Sequence, residues 1–235
     1  MNLPHRLTEL FFPRKCPVCG RRLEKSEVIC LYCMSTLPRT SFHLQADNAL
    51  AYRFYGSIKV EQAAGYFFYD KTSPYRNILY ELKYKGNTQI GKEMGRQMAT
   101  YISSSEKGFF KQIDAIIPVP LSKKRLHKRG YNQSECLAEG ISQVTGIPVY
   151  TWALEREIDN PSQTNRNDFS ERWKNVEGIF QATPQAIRLQ EKHLLLVDDV
   201  ITTGATLIAC GKAIKRACPD CRISILVLGI TKNFG

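Results

Sequence analysis

Residues 193–207 read His193-Leu194-Leu195-Leu196-Val197-Asp198-Asp199-Val200-Ile201-Thr202-Thr203-Gly204-Ala205-Thr206-Leu207. Leu194 to Val197 form an unbroken apolar run, too short for a helix, which predicts a buried strand of a parallel sheet. Asp198 and Asp199 fall at the carboxyl end of that strand. Thr202 to Thr206 then supply hydroxyls and a glycine where a loop enters a helix, whose apolar positions are Leu207, Ile208, Ala213 and Ile214. Free N–H groups and the helix dipole at such an N-terminus favour phosphate. Carboxylates just upstream accept hydrogen bonds from sugar hydroxyls. Strand, acids and turn together describe a site for a sugar phosphate on an α/β fold with a parallel sheet flanked by helices.

Neither G-x-x-x-x-G-K-[ST] nor G-x-G-x-x-G occurs, which removes the P-loop and the dinucleotide fingerprint from consideration. The 235 residues are enough for one good-sized core and a small appendage. Lys and Arg number 33 against 22 acids, a net charge of +11. That balance fits nucleic acid, phosphorylated small molecules or an ordinary basic surface, and charge alone does not choose between them. No apolar run is long enough to span a bilayer. Leu3, Leu7, Leu10 and Phe11 have helical spacing, but Glu9 and Pro13 interrupt it, and the segment lacks the apolar centre and cleavage site of a signal peptide. The expectation is a cytoplasmic protein without membrane insertion.

Eight cysteines without a secretory signal argue for metal before disulfides. Cys16, Cys19, Cys30 and Cys33 make two C-x2-C pairs; Pro17 and Gly20 help each pair bend. Four thiolates close a tetrahedral structural site of the zinc kind, leaving no position for catalytic water. An iron–sulfur cluster is the competing occupant. Arg14, Lys15, Arg21, Arg22 and Lys25 surround the knuckle, with Phe11, Phe12 and Tyr32 nearby. Such interleaving suits single-stranded nucleic acid; equally, the rings pack around the metal. The second C-x2-C, Cys218 to Cys221, lies at a helix C-terminus, where the dipole disfavours a reactive thiolate. Cys136 and Cys210 read as small buried residues.

Along the chain, 38–48 reads as a linker and Ala63 to Tyr69 as a strand. A helix is expected from Ser73-Pro74 to about Lys85-Gly86. A second carries Ile90, Met94, Met98 and Ile102 on one face, a core stripe and not a ligand box. Lys83 and Lys85, at the end of the first helix, read either as surface charges favoured by its dipole or as helpers in holding phosphate, the first being preferred. Ile113 to Pro120 is a second buried strand. It is followed by a basic loop holding Lys123, Lys124, Arg125, Lys128 and Arg129, placed to hold a pyrophosphate beyond the strand end. A helix from Asn132 to Thr145 and a third strand from Val149 to Leu154 follow. Residues 155–176 are polar and long for a connection, as lids often are; their substrate-facing candidates are Arg156, Gln163, Arg166, Arg172 and Asn175. A last strand runs from Arg222 to Leu228.

The run VDDVITTGAT resembles the 5-phosphoribosyl-1-pyrophosphate (PRPP) signature of type I phosphoribosyltransferases. With Pro118-Val119-Pro120, the R-x2-K-R-G-Y-N-Q segment from Arg125 and the cysteine knuckle, the whole chain is similar to the competence protein F family of DNA-uptake and GntX-like proteins. The resemblance implies a type I phosphoribosyltransferase-like sheet with a small N-terminal zinc module at 1–40, a linker and hood region at 41–110, and the phosphoribosyltransferase-like core at 111–235. It implies PRPP or a related nucleotide with Mg2+. Asp198 and Asp199 would meet the ribose. Val200, Thr202, Thr203, Gly204, Ala205, Thr206, Lys123 and Lys128 would hold phosphate, and Arg125 and Arg129 would neutralise the leaving pyrophosphate. It further implies handling of single-stranded DNA in natural transformation, with an uptake helicase as partner. The alternative is an active phosphoribosyltransferase acting on an unidentified base or amine. Little chain follows the PRPP helix, so a base-binding hood would come from residues 50–110.

Overall fold

The computed structural model of the protein describes residues 14–24, 27–157 and 178–231. Its centre is β5 (His193–Ile201), flanked in parallel by β2 (Ala115–Pro118) and β6 (Arg222–Thr231), with β1 (Ala63–Tyr69) parallel to β6 at the far edge. Leu194 to Val197 are wholly buried because both edges of β5 are paired and both faces covered. Leu195 and Val197 face one core and Leu194 and Leu196 the other, as a period of two requires. Burial of each such side chain contributes roughly 1.5–3 kcal/mol.

The first face is covered by α3 (Arg76–Tyr84), α4 (Thr88–Ser103) and α6 (Gln133–Thr145), together with the cysteine segment and α1 (Leu31–Ser35). The second carries α7 (Ala205–Ala217), α2 (Ala49–Tyr52), a 3-10 turn at Pro184–Leu189 and the hairpin-like pair β3 (Leu154–Arg156) and β4 (Phe180–Ala182). The chain thus leaves β2 for α6 on one face, returns to β5 by way of β3, β4 and the 3-10 turn on the other, and leaves β5 for α7 on that second face. The connections that leave the carboxyl ends of β2 and β5 therefore part to opposite faces, the arrangement beside which ligands bind in open α/β sheets.

The stripe Ile90, Met94, Met98 and Ile102 is buried as its spacing requires. Opposite it, α4 and α6 meet through glycines. A methyl on Gly95 would stand 2.2 Å from the Leu137 carbonyl oxygen, and one on Gly140 2.1 Å from that of Lys92. Backbone cannot yield as a side chain does, so Gly140→Ala is expected to force the helices apart at a cost of about 2 kcal/mol. A lowered urea midpoint with the slope preserved is the check.

Four local expectations change. The helix predicted from Ser73-Pro74 begins at Arg76, because the Asp70 carboxylate captures the Thr72 and Ser73 N–H groups and holds a turn there. The basic loop is instead α5 (Lys123–Arg129), started by Ser122, whose Oγ accepts from the Arg125 N–H, and ended by Gly130 at φ +77°. It has no buried residue and hence no periodic signal. The third strand reduces to one parallel bridge from Val149 to Ile116; the chain then turns, and Leu154 pairs with β4 instead. Residues 38–48 are no free linker. Arg39 bridges Phe67 antiparallel, the Phe68 N–H donates to Pro38 O and the Thr40 N–H to Tyr66 O, which covers the outer edge of β1. β1 itself draws residues 63–69 into the same sheet as the 111–235 segment.

Candidate functional site

Asp198 and Asp199 lie near the end of β5, 8% and 5% exposed. Oδ1 of Asp198 accepts from Ser134 Oγ at 3.0 Å and from the Asp199 N–H at 2.8 Å. Asn132 caps α6 and donates to Val119 O at 3.0 Å, which fixes the start of that helix beside the strand end. From α3, Lys83 Nζ stands 3.2 Å from Asp199 Oδ2, its side chain 25% exposed. Burial pushes Asp198 up to about 7, and the charge of Asp199 adds to the effect. Burial works against the Lys83 ammonium, yet Asp199 and Asp198 outweigh it and hold its pKa above the ordinary lysine value. Burial raises the phenol of Tyr69, at the end of β1, with Lys83 opposing the rise and Asp199 adding to it. Lys83 is therefore an inward-facing partner of the acid pair and not the surface charge its helix-end position suggested.

Beyond the acids, the chain bends through Thr202 to Gly204. Gly204 adopts φ +85° and caps α7, a conformation that a residue with a Cβ enters only under strain. The Ala205 N–H donates to Thr203 Oγ1 at 3.4 Å. Thr202 is exposed, Thr206 and Val200 are half-buried, and Thr203 is buried. Arg129 donates to Gln133 Oε1 at 2.6 Å and lies over the Tyr84 ring at 5.5 Å, one residue from Lys83. Arg125 is half-buried on α5, whereas Lys123 and Lys128 are solvent-exposed and pair with no carboxylate among the described residues. Asp198 and Asp199 thus run directly into the Thr202–Thr206 turn, and the Arg129 end of α5 packs on Tyr84, next to Lys83 in the chain. Lys83, Ser134 and Tyr69 join them from segments far away in sequence. Of the lid candidates, Arg156 sits in β3 over the Phe180 ring; Gln163, Arg166, Arg172 and Asn175 lie outside the described residues.

The four N-terminal sulfurs, of Cys16, Cys19, Cys30 and Cys33, lie within 4.8 Å of one another, with Cys19 and Cys30 at 3.6 Å. A tetrahedral thiolate site with Zn–S near 2.3 Å needs sulfurs about 3.8 Å apart, so the group fits a metal of that kind. The turn is held by Gly20 N–H to Cys16 O and Cys16 N–H to Arg21 O, with a bridge between Lys15 and Arg22. The Arg21 N–H lowers exposed Cys19 to about 7, while burial raises Cys30 and Cys33. The knuckle is fastened to α3: Asn77 Nδ2 donates to Pro17 O at 2.9 Å and the Tyr75 hydroxyl to Cys33 O at 3.3 Å. Arg21 lies over Tyr32 at 5.0 Å, and Tyr32 is 58% exposed. Phe11, Phe12 and Lys25 lie outside the described residues. Cys218 and Cys221 are fully buried, and burial raises both thiols, Cys221 to about 11. Cys136 and Cys210 are buried as expected.

These elements define an α/β protein with a parallel sheet flanked by helices and an N-terminal four-cysteine cluster able to hold a metal. Its homologues carry names from DNA uptake and use. The chain is 26% identical to the DNA utilization protein YhgH of Escherichia coli (strain K12) over 195 residues, 82% of this chain and 80% of that protein. It is 27% identical over 144 residues to competence protein F of Haemophilus influenzae, 61% and 62% of the two chains. It is 25% identical over 199 residues to competence protein ComFC of Bacillus subtilis, 79% and 77%. No protein-family model matches. Among solved structures, adenine phosphoribosyltransferase from Leishmania tarentolae aligns over 90% of this chain and 91% of its own at 11% identity and a TM-score of 0.39. Glutamine PRPP amidotransferase from B. subtilis aligns over 60% and 26% at 20% identity and 0.37. These likenesses are loose. No helix among the described residues is long and apolar enough to cross a membrane.

Proposed function

We propose that this protein handles single-stranded DNA during its uptake in the cytoplasm, and that it carries at the end of β5 a site for PRPP or a related nucleotide. The observation that carries the reading is the junction of a buried acid pair with a glycine-capped turn opening α7, in a chain whose homologues are named for competence and DNA utilization. In this reading Asp198 and Asp199 accept hydrogen bonds from ribose hydroxyls, with Lys83 paired to Asp199 beside them. Thr202, Thr203, Gly204, Ala205 and Thr206 receive the 5-phosphate through N–H and hydroxyl groups, with Val200 shaping the approach. Arg125 and Arg129, with Lys123 and Lys128 further out, face the pyrophosphate. Mg2+, when bound, would arrive on the pyrophosphate and ribose oxygens and screen their charge. The cysteine cluster holds zinc as a structural ion. An uptake helicase of the same system is the expected protein partner.

The concentration of cations on α5, directly after the strand beside Asp198, favours a second reading, transfer of phosphoribosyl to a base or amine with pyrophosphate as leaving group. Titration calorimetry with PRPP and Mg2+, repeated with a short single-stranded oligonucleotide, tests the first. Both ligands should bind. The double variant Asp198→Asn with Asp199→Asn should lose at least tenfold in PRPP affinity while retaining DNA. DNA affinity should fall steeply with salt. A protein that binds neither ligand would overturn the reading, and pyrophosphate release with a particular base would decide for the transferase.

A further inference from the structure

Outside the acid site, α3 presents an unusual surface. Arg76, Tyr80 and Tyr84 follow one another at intervals of four, so they form a single ridge. Tyr80 is 50% and Tyr84 65% exposed, their rings 5.3 Å apart at 45°. Lys85 lies over the Tyr80 ring at 5.8 Å and Arg129 over Tyr84 at 5.5 Å. Beside the ridge runs an open groove of about 440 Å³ lined by Tyr69, Asn77, Leu79 and Lys83 as well as the ridge itself. One end of α3 is bonded to the cysteine segment and the other reaches Asp199 through Lys83. The one acid of the helix, Glu81, exerts its charge on Tyr131.

From this arrangement we infer that the ridge Arg76–Tyr80–Tyr84, with Lys85 and Arg129, is the stacking track on which single-stranded DNA lies, between the cysteine cluster and the sugar-phosphate site. The inference rests on the DNA-handling reading above and assigns it a surface. Exposed rings bracketed by cations offer each base a π-face and each phosphate a charge without reading base edges, which is what sequence-tolerant binding of a single strand needs. The two tyrosine rings stand 5.3 Å apart. Bases in a duplex are about 3.4 Å apart. The ridge therefore suits a stretched strand whose bases have come apart, and not a stacked duplex. The openness of the rings favours a polymer passing over them against a single base sealed in a hood.

The test is fluorescence anisotropy of a labelled oligo-dT with the full chain. Tyr80→Ala with Tyr84→Ala should bind roughly 30-fold more weakly, at an unchanged melting temperature. Tyr80→Phe with Tyr84→Phe keeps the rings and should bind within about threefold of wild type. A duplex of equal length should bind more weakly than the single strand. If the alanine pair binds as wild type while Arg21→Ala with Arg22→Ala does not, DNA lies on the cysteine segment alone, and the inference falls while the DNA-handling reading stands. Equal affinity for duplex likewise overturns the stacking track only. If wild type itself does not bind oligo-dT, the reading and the inference fall together.

Discussion

Lys83→Met should destabilise the protein by about 3 kcal/mol at pH 8 and by clearly less at pH 5. The variant keeps the apolar stem of the side chain and deletes only the ammonium, 3.2 Å from a carboxylate that is almost out of water. Removing one member of a buried pair leaves the other uncompensated, and costs of about 3–5 kcal/mol are typical; the partial exposure of Lys83 places it at the lower end. The pH dependence follows from the shifts. Lys83 is raised, so its contribution is complete below the ordinary lysine pKa and disappears only as pH rises through its still higher folded value. Asp198 is also raised, to about 7, so the folded state holds its proton more tightly than the unfolded chain does. That group therefore costs stability as pH climbs from about 4 towards 7 in wild type. Without Lys83 the acid pair must take up a further proton, which is easy at pH 5 and expensive at pH 8. Urea denaturation at both values measures this, and adding Asp199→Asn should restore much of the loss at pH 8. An equal loss at both pH values would mean that Lys83 acts by packing alone.

The second large effect concerns the cysteines. Replacing Cys16 and Cys33 together by Ser should abolish metal retention and cost at least about 3 kcal/mol, a fall in melting temperature of roughly 6–12 °C. The reason lies in the packing: Cys16, Cys30 and Cys33 share one core with Ile29, Leu37, Tyr66 and Phe67, so the cluster is continuous with the face of the sheet. An ion binding only the folded thiolates contributes its binding energy to folding. Elemental mass spectrometry should find about one zinc per chain, and a chelator should reproduce the melting shift of the double variant. Iron in the metal analysis would replace zinc as the occupant, and a metal-free protein with unaltered melting would refute the site.

What could be read from residues alone follows from the range over which the governing interactions act. β5, β1 and the buried stripe of α4 were legible because strand and helix periods write themselves into consecutive residues. The cysteine centre was legible because its ligands come in pairs two residues apart. α5 was missed because Lys123 to Arg129 offers no apolar face, although Ser122 and Gly130 were the caps that should have betrayed it. The role of Lys83 was unreadable: its partner lies on another element, brought near only when α3 packs against the sheet. Ser134 and the glycine contact of α4 with α6 were hidden for the same reason. The strand expected at Val149 to Leu154 keeps only its bridge to the edge of β2, because the chain turns at 151–153 and Leu154 pairs with β4, a long-range choice that β-propensity does not encode.

The antiparallel stretch around Arg39 bears on how the molecule can be divided. Excising residues 1–40 as a separable module would strip the last row of amide partners from β1, leaving Thr40's former neighbours Gly65 and Tyr66 as a sticky margin. The trimmed sheet would look for that missing row on a sister molecule. Residues 38–40, just after the four-cysteine segment, are thus also a seal, and any shortened form that behaves as a monomer must keep them.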